Sequence, residues 1–413
     1  MMLARNVEDK IKRSLERFPV VVLIGSRQCG KTTLAKMGRT DWQYFDLEKG
    51  SDLDLITRDF DFFFREHSEH VIIDEAQTAP DLFRELRGVV DADRMRRGRF
   101  LLTGSSSPDL RRNSAESLAG RVAVLEVGTL KMNERYSRPL SSVFAMLHTQ
   151  SPSQHLTALR QTPVVFDSDQ VLEHFLKGGY PEPVVRQDAG FHVEWMTQYQ
   201  QTYLQRDIRA LYPGLNTENY RRFITMLAEL SGTIINRSEI GRTLNASESA
   251  VRDYLDIAQG TFVWRNIPSL ERTTSKSVVK MPRGYIRDSG LLHHLTRVRS
   301  RDRLFTHPGT GAAFEGFVIE ELIQGLRAVA DTPWGVNFYR TRGGAEVDLV
   351  LTTPDGDRIP VEIKFGTTVR REALRSLTSF IAQEGCQYGI LINNAESVQR
   401  LTDQIIQIPA GCI

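Results

Sequence analysis

Cysteine is scarce in this chain. Cys29, Cys386 and Cys412 are the only three in 413 residues, and they form neither a disulfide framework nor the spacing of a zinc site. Long apolar runs are missing too: none approaches the roughly 20 residues that span a bilayer. Met1 to Lys10 turns charged at once, without the apolar stretch of a secretory signal. These absences predict a cytoplasmic protein with no membrane partner. An excess of one charge is also lacking, since 53 Lys and Arg face 51 Asp and Glu for a net +2. No global field for polyanions is therefore built in. What is present, 40% hydrophobic and 25% charged residues, is ordinary globular composition, and the length suits two to three domains.

Against that plain background Gly25-Ser26-Arg27-Gln28-Cys29-Gly30-Lys31-Thr32 stands out, because it fits G-x-x-x-x-G-K-[ST]. The apolar run Pro19 to Ile24 before it reads as a buried parallel strand. Thr33-Leu34-Ala35-Lys36-Met37 after it opens a helix. A loop between strand and helix turns backbone N–H groups inward as an anion nest, and glycines let it curl without a Cβ clash. Lys31 is thereby expected to reach the β- and γ-phosphates of a nucleoside triphosphate, with Thr32 holding Mg²⁺. Cys29, inside the loop, reads either as a thiol activated by local positive potential or as a tolerated small side chain.

His70-Val71-Ile72-Ile73-Asp74-Glu75 ends a second apolar strand in two carboxylates. Strand ends face the ligand crevice of an open parallel sheet, so Asp74 is expected on the Mg²⁺ shell and Glu75 beside the attacking water. A third strand, Arg99 to Ser107, offers Thr103 or Ser105 to sense the γ-phosphate or to orient the water. Arg121, just before a further strand, is a candidate for transition-state charge in its own subunit or a neighbour's. Tyr44 to Glu48 adds another strand. Residues 1–135 thus predict an α/β parallel-sheet core.

Arg138 to Ser168 is rich in Ser, Pro, Gln and Thr and reads as a connection over 136–168. Residues 169–300 are helical. Within them a helix over 221–231, a short helix from Ser238 to Leu244 with Ser238 as N-cap, a turn at Asn245-Ala246, a helix over 247–258 and a strand over 261–265 follow a winged helix-turn-helix layout. The last of these helices carries Glu248, Asp253 and Asp256 against Arg252 alone, which suits a packing or partner contact better than DNA phosphates. Arginines cluster locally at Arg94, Arg96, Arg97 and Arg99, and at Arg297, Arg299, Arg301 and Arg303. Each set is a solvated face or a phosphate contact.

Over 301–413 an amphipathic helix carries Glu315 and Glu320, and two strands joined by the turn Pro354 to Asp357 bring Asp348 opposite Glu362-x-Lys364. Period-two alternation puts Glu362 and Lys364 on one face. Such carboxylates suit a second divalent metal, Mg²⁺ or Mn²⁺, with Glu315 as a further ligand and Lys364 orienting water. A half-exposed ion pair is the alternative.

Jointly, GSRQCGKTT, VIIDEAQ, LLTGSSS and LAGRV resemble the AAA+-type core (AAA_14) of a group of bacterial and archaeal ATPases. Tyr203-x-x-Arg206-Asp207-Ile208, Ile286 to Leu291 and Phe314-Glu315-x-Phe317-Val318 resemble the DUF4143 region that accompanies it. The resemblance implies ATP as the nucleotide. It also implies a C-terminal domain similar to the PD-(D/E)xK restriction-endonuclease fold, with Asp348, Glu362 and Lys364 at the nuclease-like positions and Glu315 or Glu320 as the helix carboxylate. Cys29 and Gly128 to Lys131 depart from the family pattern without removing a phosphate or Mg²⁺ ligand. Two functions follow: an ATPase whose nucleotide state gates a nuclease acting on DNA, or an ATP-driven switch whose winged helix and inactive nuclease-like fold contact protein or DNA, a homo-oligomer included.

Overall fold

The computed structural model describes residues 3–105, 118–203, 208–212, 214–270, 281–341, 343–369 and 371–413. Two compact units result, one of Met1–Leu130, Tyr180–Glu182 and Asp256–Val263, the other of Lys131–Gly179, Pro183–Leu255 and Trp264–Ile413.

The first unit is a five-stranded sheet of β1 (Val20–Gly25), β2 (Gln43–Asp46), β3 (Val71–Asp74), β4 (Phe100–Ser105) and β5 (Val122–Val127) in the order β2-β3-β4-β1-β5. Every pairing is parallel. Alternate residues point to opposite faces. Val20, Val22, Ile24, Ile73 and Leu102 pack toward Leu82, Phe83, Leu86 and Val90 of α3 (Leu82–Ala92). Val21, Leu23, Ile72 and Leu101 pack toward Ile11 of α1 (Glu8–Arg17) and Leu34 and Ala35 of α2 (Lys31–Lys36). Burial on both faces explains why these strands are apolar runs with no polar alternation. Because β4 inserts between β1 and β3, the C-terminal ends of all three converge.

In the second unit the expected connection over 136–168 is instead helical, as α4 (Ser142–Thr149) and α5 (Pro152–Arg160). The residues that suggest a linker are helix-start chemistry: Ser141 caps α4 by accepting from the Val143 N–H, and Pro152 sits in the first turn of α5. Next come α6 (Ser168–Lys177), α7 (Thr217–Glu229), β6 (Thr233–Ile234), α8 (Arg237–Leu244), α9 (Glu248–Gly260, which from Asp256 on counts with the first unit), β7 (Trp264–Ile267), β8 (Arg283–Ile286) and α10 (Ser289–Leu295). Strands β6, β8 and β7 form a small antiparallel sheet. Asn236, not Ser238, caps α8, its side chain accepting from the Glu239 N–H. The α8–α9 turn passes through Asn245 at φ 51.

α11 (Thr310–Val329) leads into a six-stranded sheet of β9 (Gly335–Arg340), β10 (Glu346–Thr352), β11 (Arg358–Ile363), β12 (Gly389–Asn393), β13 (Gln399–Arg400) and β14 (Ile405–Pro409). Strands β9, β10 and β11 are antiparallel neighbours, whereas β11, β12 and β14 run parallel. α12 (Arg371–Glu384) supplies the crossover from β11 to β12, and its Leu377, Phe380 and Ile381 pack on Val347, Val350 and Leu391. No helix among the described residues is long and apolar enough to cross a membrane.

Candidate functional site

The loop after β1 is shaped by its glycines. A Cβ on Gly25 would lie 2.0 Å from the Val127 carbonyl oxygen, and Gly30 has φ +94°, a region L-residues avoid. Arg5 braces the loop from below: one guanidinium nitrogen donates to the Cys29 carbonyl at 2.8 Å and the other to that of Gly128 at 2.7 Å. Cys29 is wholly buried in the core beneath, its Sγ 3.4 Å from the Val127 carbonyl. Packing accounts for it, and the reading as an activated thiol has no exposed sulfur to support it.

Lys31 is buried and its ammonium donates to the carbonyls of Gly25 (3.1 Å) and Ser26 (2.9 Å). Ser26 is buried, Arg27 pairs with Glu48 at 3.4 Å, and Gln28 and Thr33 are exposed. The hydroxyl of Thr32 donates to Asp74 Oδ2 at 2.7 Å, which brings the first helical turn and the end of β3 together. Thr103, fully buried on β4, donates to Asp74 Oδ1. Sequence reasoning missed Tyr44, whose hydroxyl donates to Asp74 Oδ2 at 2.8 Å from the edge strand. Burial and this hydrogen bond push the Tyr44 phenol upward, so it stays protonated. Its signal lay in register, since Tyr44 pairs with Ile72, two residues before Asp74.

Glu75 follows in the left-handed region at φ 53, uncommon outside glycine and typical of functional turns. Its carboxylate accepts from Gln77 Nε2 at 2.5 Å and its N–H donates to Thr103 Oγ1 at 3.4 Å. The Thr32 hydroxyl and the Asp74 carboxylate, 2.7 Å apart, are an oxygen-only donor set, the kind that Mg²⁺ takes. Thr32 and Asp74 therefore fit the ion.

Arg121 is not brought to this loop. It precedes β5, whose Val122 lies beside Val20 while Val127 lies beside Gly25. A strand's length, roughly 17–20 Å at about 3.3 Å per residue, separates it from the phosphate loop of its own chain. There it grips Asp91 at 2.6 and 2.9 Å and lines a cavity of about 290 Å³ with Arg17, Arg94 and Arg97. The side chain of Ser105, together with Ser106 and Ser107, lies outside the described residues, as do Leu204 to Asp207 of the YLQRDI segment.

In the second unit the hairpin does gather Asp348, Glu362 and Lys364. The ammonium sits 3.0 Å from Asp348 Oδ2 and 2.7 Å from Glu362 Oε1, and the Ile363 N–H donates to Asp348 Oδ2 at 2.9 Å. The β9–β10 pairing slips between Val347 and Val350, so Asp348 sits on a bulge. Glu315 joins the cluster, but through Arg283 of β8, which the sequence did not flag. The guanidinium lies 2.7 Å from Glu315, pairs with Glu346 and comes within 3.7 Å of Asp348. Tyr285 also donates to Glu315. Burial raises both Glu315 and Glu362, and the Asp348 charge adds to it. Glu320, the alternative helix carboxylate, faces elsewhere and binds Arg265 at 2.6 Å and Arg287 at 2.5 Å. Among the described residues no three His, Cys, Asp or Glu side chains are placed to hold a metal. The residues expected to take a second divalent ion do not fit one as they stand, because Arg283, a cation outside the expected set, fills the space between Glu315 and Asp348.

Three family models match parts of the chain: the AAA domain (AAA_14) over 17–136, a domain of unknown function (DUF8612) over 168–302, and another (DUF4143) over 310–413, so that Tyr203 to Ile208 and Ile286 to Leu291, expected in the DUF4143 region, fall instead in DUF8612. Two curated relatives, Rv2008c of Mycobacterium tuberculosis and Mb2031c of Mycobacterium bovis, both named as uncharacterized proteins, are each 31% identical over 411 residues. The match covers 99% of this chain and 84% of each relative. Among solved structures, the Walker-type ATPase PABY2304 of Pyrococcus abyssi is 15% identical with a TM-score of 0.43, over 71% of this chain and 96% of that one. The Orc1 protein of Aeropyrum pernix, solved in complex with DNA, is 12% identical with a TM-score of 0.28, over 74% of this chain and 95% of that one.

Proposed function

The chain belongs to the family of the mycobacterial proteins Rv2008c and Mb2031c, and from there we propose that it binds ATP with Mg²⁺ at Gly25–Thr33 and hydrolyses it. The observation that carries this is the 2.7 Å contact of Thr32 with Asp74 beside a buried Lys31. Loop amides and Lys31 bind the phosphates, the ammonium leaving the Gly25 and Ser26 carbonyls to do so. Thr32 and Asp74 hold Mg²⁺, which neutralises charge on the phosphates when bound. Thr103 and Tyr44 fix the Asp74 carboxylate. Glu75, presented by its left-handed backbone, orients the attacking water. Arg121, far from its own loop, serves the nucleotide of a neighbouring copy. A Lys31→Ala protein should lose phosphate release from ATP; turnover at the wild-type rate would sink the proposal.

The nucleotide state is then read by the rest of a cytoplasmic protein. The succession α11, three antiparallel strands, α12 and a parallel strand supports a restriction-endonuclease-like reading of 310–413, and α7–α9 with β6–β8 supports a winged helix. A nuclease gated by ATP and a switch with an inactive nuclease-like fold remain the two readings. The guanidinium of Arg283 among the carboxylates favours the second, with protein or DNA bound and not cut. Labelled plasmid, linear and single-stranded DNA, incubated with Mg²⁺ or Mn²⁺ with and without ATP, decides between them. Cleavage that an Asp348→Ala/Glu362→Ala protein lacks would restore the nuclease.

A further inference from the structure

Four carboxylates converge in the C-terminal domain: Glu315 from α11, Glu346 and Asp348 from β10, and Glu362 from β11. Asp348 and Glu362 are 4% and 6% exposed, so water does little to screen them from one another. A group like this needs cations. Lys364 supplies one, bridging Asp348 at 3.0 Å and Glu362 at 2.7 Å. The other comes from a different sheet. Arg283, on β8, inserts its guanidinium with one nitrogen 2.7 Å from Glu315 and 3.7 Å from Asp348 and the other on Glu346. A divalent ion joining Glu315 to Asp348 would bind their oxygens at about 2.0–2.6 Å, within the volume that this nitrogen fills. Guanidinium is planar, permanently charged and able to fork between carboxylates. Tyr285, two residues on along the strand, donates to Glu315 and steadies the same contact.

We propose that Arg283 takes the place of a divalent cation in this cluster, so that the folded domain binds no metal at Asp348, and that removing the guanidinium opens a Mg²⁺ or Mn²⁺ site there. The buried Glu362 Oε2, without a hydrogen-bond partner among the described residues, is a ready acceptor for the incoming ion. The proposal deepens the reading of this domain as an inactive nuclease-like fold and rests on it.

Full-length, nucleotide-free protein carrying Asp74→Asn, which silences the phosphate-loop ion, is titrated with Mn²⁺ while free Mn²⁺ is followed by electron paramagnetic resonance. With Arg283 present, the titration should not differ from that of the same protein carrying Asp348→Asn. Arg283→Gln should gain a bound Mn²⁺ that Asp348→Asn removes again. An Asp348-dependent ion in the protein that retains Arg283 would overturn the proposal, as would a folded Arg283→Gln protein that gains none. Should Arg283→Gln fail to fold, Arg283→Met replaces it with the same two outcomes, and an Asp348-dependent ion in the protein that retains Arg283 refutes the proposal in either case. DNA cleavage is a separate readout. Cleavage abolished by Asp348→Ala would sink the inactive-fold reading itself, whereas an Asp348-dependent Mn²⁺ bound with Arg283 in place, without cleavage, would sink only the role given to Arg283.

Discussion

Asp74 accepts from three hydroxyls on three different elements: Thr32 on α2, Tyr44 on β2 and Thr103 on β4. Its orientation is therefore set by the protein itself, a preorganised arrangement that need not rearrange when charge develops beside it. Glu75 is held differently, by an uncommon backbone conformation and by Gln77. If it orients water, Glu75→Gln should lower kcat for ATP by about 10²–10⁴, with nucleotide affinity nearly unchanged in a fluorescent-analogue titration; an equal loss in both would make it a binding residue. A second residue sets acid stability. Burial pushes His293 down to about 4. Its Nδ1 lies 3.2 Å from the Leu176 carbonyl and its Nε2 has no partner among the described residues, so a second proton would enter without an acceptor. The folded value lies below the ordinary 6.5, so the unfolded chain takes the proton first. Stability is full above 6.5 and declines as pH falls toward 4, by about 3 kcal/mol at the low end. Urea midpoints of wild type and His293→Phe should diverge over that window and run parallel above it.

Elements are tied by buried charge as well as by apolar packing. Lys131, 2% exposed, donates to Glu321 Oε2 at 2.7 Å and to its carbonyl at 2.5 Å, while His174 Nε2 lies 3.5 Å from Oε1. Burial alone would raise Glu321, but Lys131 and His174 more than offset it and hold the carboxyl low. Lys131→Met leaves that carboxylate buried with only His174 beside it and should cost about 3–5 kcal/mol. Adding Glu321→Leu should recover much of the loss in chemical denaturation; no recovery would mean that the pair is not the cause. Nothing in the sequence announced this pair, since a lysine after a strand ordinarily reads as surface. The strands of the core were legible because parallel strands buried on both faces leave apolar runs, and Gly25 to Thr32 because its backbone demands are chemical. Helices α4 and α5 were not, because Ser141 and Pro152 serve linkers and helix starts equally. Arg283 escaped for another reason: its partners Glu315 and Glu346 lie 32 and 63 residues away, and only the fold brings them together.

At the scale of the molecule the parallel sheet has two chemical ends. Phosphate-loop amides, Lys31 and Asp74 collect where the strands finish, and Arg17, Arg94, Arg97 and Arg121 collect where they start. No rotamer of Arg121 spans that length, so a catalytic part for it requires a second copy to present its loop. Exposed Asp91 holds the guanidinium in the meantime, and this contact lowers the Asp91 carboxyl. An exposed pair of this kind is weak enough to exchange for phosphate. Arg121→Ala alone should then reduce ATP turnover by about 10³ or more, and Lys31→Ala should abolish it through the loop. Mixed in equal amounts, the two inactive proteins form some interfaces that join an intact loop to an intact arginine. With random pairing of copies, about a quarter of the sites are whole, and turnover should return to roughly that fraction of wild type. A mixture no more active than its components would show that Arg121 does not act across an interface, and its grip on Asp91 would then be structural.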